Sequence, residues 1–440
     1  MKLFSYLVFV TIFTFNSIYA VAWIDPMIKQ NIINKSDEEL SVIILLKDLP
    51  SASITNSIEQ RESFENRIFS VLSSVELSER NLEEGTILWA INGAHVHLKT
   101  NQLLKISENQ EVDSIIYDSE VSLDFPETIE DESTLKRVTW GIKKINAQKV
   151  WTELKLTGKN IKVGVLDTGY SDHPALRNRV IADRSFTFGK KFGPTDGHGH
   201  GTHCAGTIGG TTVDGNVIGV AQDVDFIIGR IFNNKGKGSL SLMLKGMQWM
   251  ADPDENPSTN DYPAVVSNSW GVSWTEEKKI KPLLRAVETW KNIGIIPVFA
   301  AGNNGPRPQT IIKPAAFADS ITIGGTDNND KIARFSSQGP GVYFGSKTNK
   351  PDLTAPGVAV YSSDLYGKYK FRSGTSMAAP HVAGIIAIML EANPNLTTEQ
   401  VRQILKESSI DLGVNGYDYA FGAGRIDAYK AASKAIQSVN

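Results

Sequence analysis

One stretch constrains the fold of this 440-residue chain more than any other: Gly374-Thr-Ser-Met-Ala-Ala-Pro380, then His381, then a run of apolar and small residues at 382–390. The run lacks strand alternation and exceeds an ordinary strand in length. It therefore reads as a helix that is apolar almost all round, and such a helix is buried. Ser376 falls at its N-terminus, where free backbone N–H groups and the helix dipole favour developing negative charge. Pro380 is expected in or just after the first turn, where a missing N–H does least harm. A hydroxyl so placed suits a nucleophile if a base and an orienting acid exist elsewhere. The plainer meaning of Ser376 is a helix N-cap.

Composition narrows the setting. With 41% hydrophobic residues, the chain buries a large core and has room for more than one domain. A net charge of −3 and a pI near 6.2 argue against a nucleic-acid partner. Cys204 is the single cysteine, so no intrachain disulfide forms. Met1-Lys2, an apolar run to Phe15 and Ala20-Val-Ala22 form a secretory signal peptide pattern over residues 1–22, too short to span a bilayer with ordinary flanks. The protein is expected to be secreted, extracellular or periplasmic, with no stable membrane insertion.

Residues 23–135 are rich in Glu, Ser and Asn and poor in glycine. Strand patterns at 42–46, 86–98 and 112–117 alternate with helical spacing at 58–82 and 102–109. This order suits a small α+β module with helices on one face of an antiparallel sheet. Residues 126–133 are acidic and aperiodic and read as an exposed linker open to proteolysis. Beyond Trp140, strands at 161–166, 225–232, 264–268, 295–300 and 320–324 alternate with helices at 201–209, 240–250, 278–292, 381–390 and 398–407. Such alternation implies a mostly parallel sheet covered on both faces, with functional groups at the carboxyl ends of its strands.

Three further motifs stand out, two at strand ends and one in a turn that enters a helix. Asp167 closes a strand before Thr168-Gly169, where an aspartate is otherwise a turn former. His200 lies in the glycine-flanked segment Asp196-Gly-His-Gly-His-Gly-Thr-His-Cys-Ala-Gly206. Asn303 ends Phe299-Ala-Ala-Gly-Asn303, where its amide suits either a left-handed turn or a tetrahedral oxyanion. His198, His200 and His203 also invite a zinc-hydrolase reading, which the intervening glycines disfavour.

Together, Asp167-Thr-Gly, His200-Gly-Thr-His, Ala301-Gly-Asn303 and Gly374-Thr-Ser-Met-Ala-Ala-Pro-His381 resemble the four motifs of the subtilisin-like serine proteases, in that family's order. The similarity runs from about 140 to 432, through Phe335-Ser-Ser337, Lys350-Pro-Asp-Leu-Thr-Ala-Pro-Gly357 and Gly422-Ala-Gly-Arg-Ile426. The resemblance implies a three-layer α/β fold with a mostly parallel central sheet over 139–440, preceded by a ferredoxin-like inhibitory prosegment over 23–135. It also implies that Ser376 is the nucleophile, His200 its base, Asp167 the orienting acid and Asn303 an oxyanion donor. Ser269, Trp270 and Gly271, with Ala300, Ala301 and Gly302, would flank the pocket for the residue before the scissile bond. Gly236, Lys237 and Gly238, within Lys235-Gly-Lys-Gly238, would pair with extended substrate. The two lysines suggest a preference for acidic residues at neighbouring subsites.

The partners so implied are protein or peptide substrates and the chain's own prosegment, cut between about 127 and 138, in a monomer. No cofactor is required for catalysis. Structural calcium is compatible with the family, but Ala175 follows His173-Pro174 where a liganding Asp is usual, and the acidic segment 251–256 reads equally as an exposed loop. No metal ligand is assigned. Ser269-Trp-Gly271 and Asp252-Pro-Asp254 resemble the bacillopeptidase F-like branch. The competing reading is a catalytically silent binding protein whose prosegment stays in the cleft.

Overall fold

The structure is a computed structural model that describes residues 22–34, 38–48, 58–75, 87–124, 138–187, 193, 195–213 and 215–439. The leader before Ala22 and the acidic linker at 126–133 lie outside these residues.

The N-terminal unit contains β1 (Trp23–Ile24), α1 (Pro26–Ile33), β2 (Leu40–Leu46), α2 (Ile58–Leu72), β3 (Ile87–Leu88), β4 (Gly93–Leu98), α3 (Thr100–Ser107), β5 (Val112–Tyr117) and β6 (Glu120–Ser122). Its sheet runs β1-β5-β2-β4-β3, antiparallel throughout except for β1 against β5. The strand expected over 86–98 is broken instead by a 3-10 turn, Trp89–Ile91, closed by Asn92 in the left-handed region at φ 52°. Asparagine tolerates that region because its short amide side chain bonds locally.

The uninterrupted apolar run of β2 has a two-sided explanation. Val42, Ile44 and Leu46 pack with Ile28, Ile68, Leu103 and Ile106 of the unit's own helices. Ile43 and Leu45, on the other pleat, join a second core with Leu240, Met243, Leu283 and Val287 from the C-terminal unit. Each fully buried side chain of this size contributes roughly 1.5–3 kcal/mol. The sheet is thus covered on both faces, and the second face belongs to another body.

The C-terminal unit begins with the short helices α4 (Trp140–Lys144) and α5 (Ala147–Lys149). There follow β7 (Lys162–Asp167), β8 (Val180–Ser185), α6 (His200–Gly209), β9 (Asp225–Arg230), β10 (Lys237–Ser239), α7 (Leu240–Ala251), β11 (Val265–Asn268), α8 (Glu277–Ile293) and β12 (Ile296–Ala300). Then come β13 (Ile321–Thr326), the hairpin β14 (Gly341–Tyr343) and β15 (Ser346–Thr348), and β16 (Leu353–Pro356). A second hairpin, β17 (Val360–Ser363) and β18 (Tyr369–Arg372), precedes α9 (Thr375–Ala392), α10 (Thr398–Ser408) and α11 (Ala428–Gln437).

Seven strands form one parallel sheet in the order β16-β13-β12-β11-β7-β9-β8. Period-two alternation sends Ile296, Val298 and Ala300 of β12 to the face covered by α9 and α11, while Phe299 faces α7 and α8. Helix α8 earns its place by spacing, since Ile280, Leu283, Val287 and Trp290 form one buried stripe, and it stops at Gly294 with φ 92°. Helix α9 is long and apolar enough to cross a membrane by composition, but 89% of it is buried inside the protein.

Helix α9 begins at Thr375, ahead of the apolar run at 381–390, so Ser376 lies in its first turn and Pro380 just after that turn, as expected. A proline there removes the N–H that would bond the carbonyl of residue 376. The Ser269 hydroxyl donates to that Ser376 carbonyl at 2.9 Å, and the Cys204 thiol approaches it at 3.5 Å, so the orphaned acceptor is satisfied from outside the helix.

Candidate active site

The central strands β12, β11 and β7 are neighbours, and their carboxyl ends carry Asn303, Ser269 and Asp167 in that spatial order. Asp167 is fully buried, and its carboxylate accepts from His200 Nδ1 at 2.7 and 2.9 Å. His200 opens α6 and is likewise fully buried.

The approach between the two segments depends on glycine. A Cβ on Gly201 would sit 2.2 Å from the Gly169 carbonyl oxygen, so no larger residue fits after His200. Two threonines then fasten the segments: Gly201 N donates to Thr168 Oγ1 and Ser171 N to Thr202 Oγ1, both at 2.9 Å. Asp196 accepts from the backbone N–H groups of His198, Gly199 and Thr202 and from the Thr202 hydroxyl, fixing the N-terminus of α6. Asp196, Thr168 and Thr202 were not singled out from sequence, although a carboxylate four residues before a helix-opening histidine is a readable cue.

Ser376 is 5% exposed and sits at the second residue of α9. Its hydroxyl donates to the Ser269 carbonyl at 3.2 Å. A hydroxyl has one proton, so in this conformation that proton is not directed at His200. Asn303 is oriented by Thr375, whose N–H and hydroxyl both donate to Asn303 Oδ1 at 3.0 Å. That fixes Nδ2 on the cleft side, where it donates to the main-chain carbonyl of Asp124 at 3.0 Å.

The cleft is lined by Ser269, Trp270, Gly271, Ala300, Gly302, Asn303 and Ser376, and residues 120–124 of the N-terminal unit lie in it. Trp270 forms its wall, 3% exposed and edge-on to Phe299 with ring centroids 5.5 Å apart. Ala301 is a correction. Its backbone bonds to Ile323 and Ile312 and its side chain is fully buried in the core, because strand alternation turns it from the cleft that Ala300 and Gly302 border. Gly236, Lys237 and Gly238 do pair with an extended segment: β10 is antiparallel to β6, with Lys237 opposite Ser122 and Gly238 opposite Val121, and the Gly236 carbonyl accepts from Leu123 N at 2.9 Å.

The three histidines do not converge as a metal site. His203 Nε2 faces the carbonyls of Val360 and Lys370 at 3.0 and 3.1 Å, which demands a proton on that nitrogen. Burial holds its pKa well below the ordinary value. Cys204 does stand near Asp167 and His200, but burial pushes its pKa well up and keeps it a thiol, engaged with Ser269 and Ser376. Away from the cleft, Asp252, Asp254 and Asp261 cluster, with Asp252 already paired to Arg61 at 2.5 Å.

Residues 158–424 match the model of the subtilase family. The chain is 37% identical to serine protease AprX of Bacillus subtilis, over 62% of this chain and 66% of AprX, just under two thirds of that protein's length. It is 35% identical to subtilisin DY of Bacillus licheniformis, over 67% of this chain and 98% of that protein. M-protease of Shouchella clausii is 34% identical over 73% of this chain and 77% of its own length. With an α/β parallel sheet whose carboxyl edge gathers an aspartate, a histidine and a helix-borne serine, and with these relatives, the chain belongs to the subtilase family of serine endopeptidases, which need no cofactor for catalysis.

Proposed function

We propose that this protein is a secreted, self-processing endopeptidase in which Ser376 is the nucleophile, His200 its base, Asp167 the orienting acid and Asn303 an oxyanion donor. The observation that carries the reading is the buried Asp167–His200 pair at 2.7 Å, beside a serine at the N-terminus of a core helix. Accepting from Nδ1 leaves the imidazole's Nε2 as the basic nitrogen, the tautomer that general-base work requires.

For reaction, the Ser376 hydroxyl turns from the Ser269 carbonyl to His200 and attacks the scissile carbonyl carbon as its proton passes to Nε2. Asn303 Nδ2 and the backbone N–H of Ser376, at the positive end of α9, receive the oxyanion. The imidazolium gives its proton to the leaving amine, and water releases the acyl group by the same route. The residues assigned here follow the arrangement known from subtilisin, in both the oxyanion amide and the order of the triad.

The N-terminal unit, residues 23–135, acts as an inhibitory prosegment. Its β6 segment occupies the cleft edge that substrate would use. Secretion is supported by the leader pattern at 1–22. The test follows chain size and fluorophosphonate labelling in wild type and Ser376→Ala. Wild type is expected to shorten and label while the variant does neither. Two folded, full-length, unlabelled proteins would install the silent-binder reading instead.

A further inference from the structure

The segment that follows β5 is held in the cleft in one register, and that register singles out a bond. Going from β6 toward the nucleophile, Val121 lies opposite Gly238 and Ser122 opposite Lys237, and Leu123 N donates to the Gly236 carbonyl at 2.9 Å. Val121 is 5% exposed and belongs to the core shared with Leu240 and Met243, so the strand cannot slide by one residue without turning this side chain to water. The next carbonyl, that of Asp124, accepts from Asn303 Nδ2 at 3.0 Å. Asn303 is the amide whose other end is fixed by Thr375, the neighbour of Ser376. The carbonyl that sits on the oxyanion donor is the one a nucleophile beside that donor attacks.

We propose that the processing site of this chain is the peptide bond on the carboxyl side of Asp124. This rests on Ser376 being the nucleophile, as proposed above, and places the cut upstream of the 127–138 window that the acidic linker alone suggests. Ser376 Oγ bonds to the Asp124 carbonyl carbon, and its proton goes to His200. The bond to the nitrogen of Phe125 then breaks, and that nitrogen takes the proton from His200. Water adds across the resulting ester, its hydroxyl to the Asp124 carbonyl and its proton, through His200, to Ser376. One water is consumed, leaving a fragment that ends in the Asp124 carboxylate and a chain that starts at Phe125.

The site also carries a consequence for specificity. Asp124 is exposed, and the cleft beside it is lined by Ser273 and Asn304 as well as by Trp270, Val272 and Ile312, with no cationic side chain among its lining residues. An exposed carboxylate keeps its hydration and meets no opposite charge there, so the aspartate contributes little to recognition. Placement comes from Val121, Leu123 and the tether to the N-terminal unit, which acts as a high effective concentration.

Cell-free synthesis of the full wild-type and Ser376→Ala chains, sampled from the earliest times, tests the site through the intact masses of both fragments. The expected result is an N-terminal fragment ending at Asp124 and a partner starting at Phe125, both absent from Ser376→Ala. Asp124→Leu is expected to be cut at the same bond at least as fast. A first cut at any other bond overturns the proposed site while leaving the protease reading intact. Labelling by a fluorophosphonate without any cut overturns it as well. Neither cut nor label removes both the site and the function on which it depends.

Discussion

Ser269 and Ser376 hold each other reciprocally: the Ser269 hydroxyl donates to the Ser376 carbonyl at 2.9 Å, and the Ser376 hydroxyl donates to the Ser269 carbonyl at 3.2 Å. The first bond replaces the helix hydrogen bond that Pro380 deletes. Ser269→Ala would leave a buried carbonyl with only the weak Cys204 thiol nearby, at a cost of about 1–3 kcal/mol. Pro380→Ala restores the missing N–H. In a Ser376→Ala background, which prevents self-digestion, the double variant Ser269→Ala/Pro380→Ala is therefore expected to lose less stability than the sum of the two single changes. Urea denaturation midpoints measure this, and strict additivity would contradict the compensation.

Asn303 does two jobs with two atoms, so they can be separated. Asn303→Asp keeps the acceptor that binds Thr375 but replaces the donor that faces the Asp124 carbonyl with an oxygen. On subtilisin itself, loss of this amide donor costs about 10²–10³ in kcat. At least that loss is expected here, with KM nearly unchanged, because a donor used by the oxyanion acts in the transition state. A change in KM alone would reassign Asn303 to ground-state binding.

Acid should loosen the N-terminal unit through His95. Its Nε2 is 2.9 Å from the Ser41 hydroxyl, which donates to Asp118, and Asp118 in turn accepts from the N–H and hydroxyl of Ser241 in α7. Burial lowers the His95 pKa from 6.5 to about 4; Lys245 and His97 add to the effect and Asp118 opposes it. Between these values the unfolded chain binds the proton and the folded one does not. The contribution of neutral His95 is whole above about 6.5 and is lost as pH falls through this window toward 4. In the Ser376→Ala chain, the denaturation midpoint should fall from pH 7 to 4.5, and more in wild-type His95 than in His95→Gln. Parallel pH profiles would dismiss the histidine.

Much of this was legible in the sequence because the chemistry itself demands residue types at strand ends and helix N-termini. Asp167, His200, Asn303 and Ser376 stood out for that reason, and the apolar strands of the central sheet stood out by their runs. What escaped has equally physical causes. The strand β8 is largely half-exposed, with a charged Asp183-Arg184 pair, and so lacks a run. β6 has three residues and exists as a strand through its pairing with β10. Ser269 caps a carbonyl 107 positions away, a relation without sequence period. A cue existed even there, since a proline inside an apolar helix announces an unpaired carbonyl four residues earlier.

Release of the cut N-terminal unit should depend on burial rather than on the number of ion pairs. Arg285 of α8 is 3% exposed and donates to the carbonyls of Ile91 at 2.8 Å and Leu46 at 2.9 Å, with Asp48 as its charge partner. Arg285→Met would leave the Ile91 and Leu46 carbonyls without their buried donor, a loss of about 2–5 kcal/mol for two hydrogen bonds from a buried charge, while Asp48, 66% exposed, keeps Lys281 at 3.1 Å. At about 1.4 kcal/mol per decade, the release rate rises at least about 30-fold. Lys237 pairs with Glu120 at 2.8 Å, but the two side chains are 48% and 61% exposed. Water screens such a pair to about 0–1 kcal/mol, so Lys237→Ala should change release less than about fivefold. The lag between fragment appearance and hydrolysis of an added peptide measures both. A long lag in Arg285→Met and a short one in Lys237→Ala would mean that the exposed strand pair, rather than the α8 contact, retains the inhibitor.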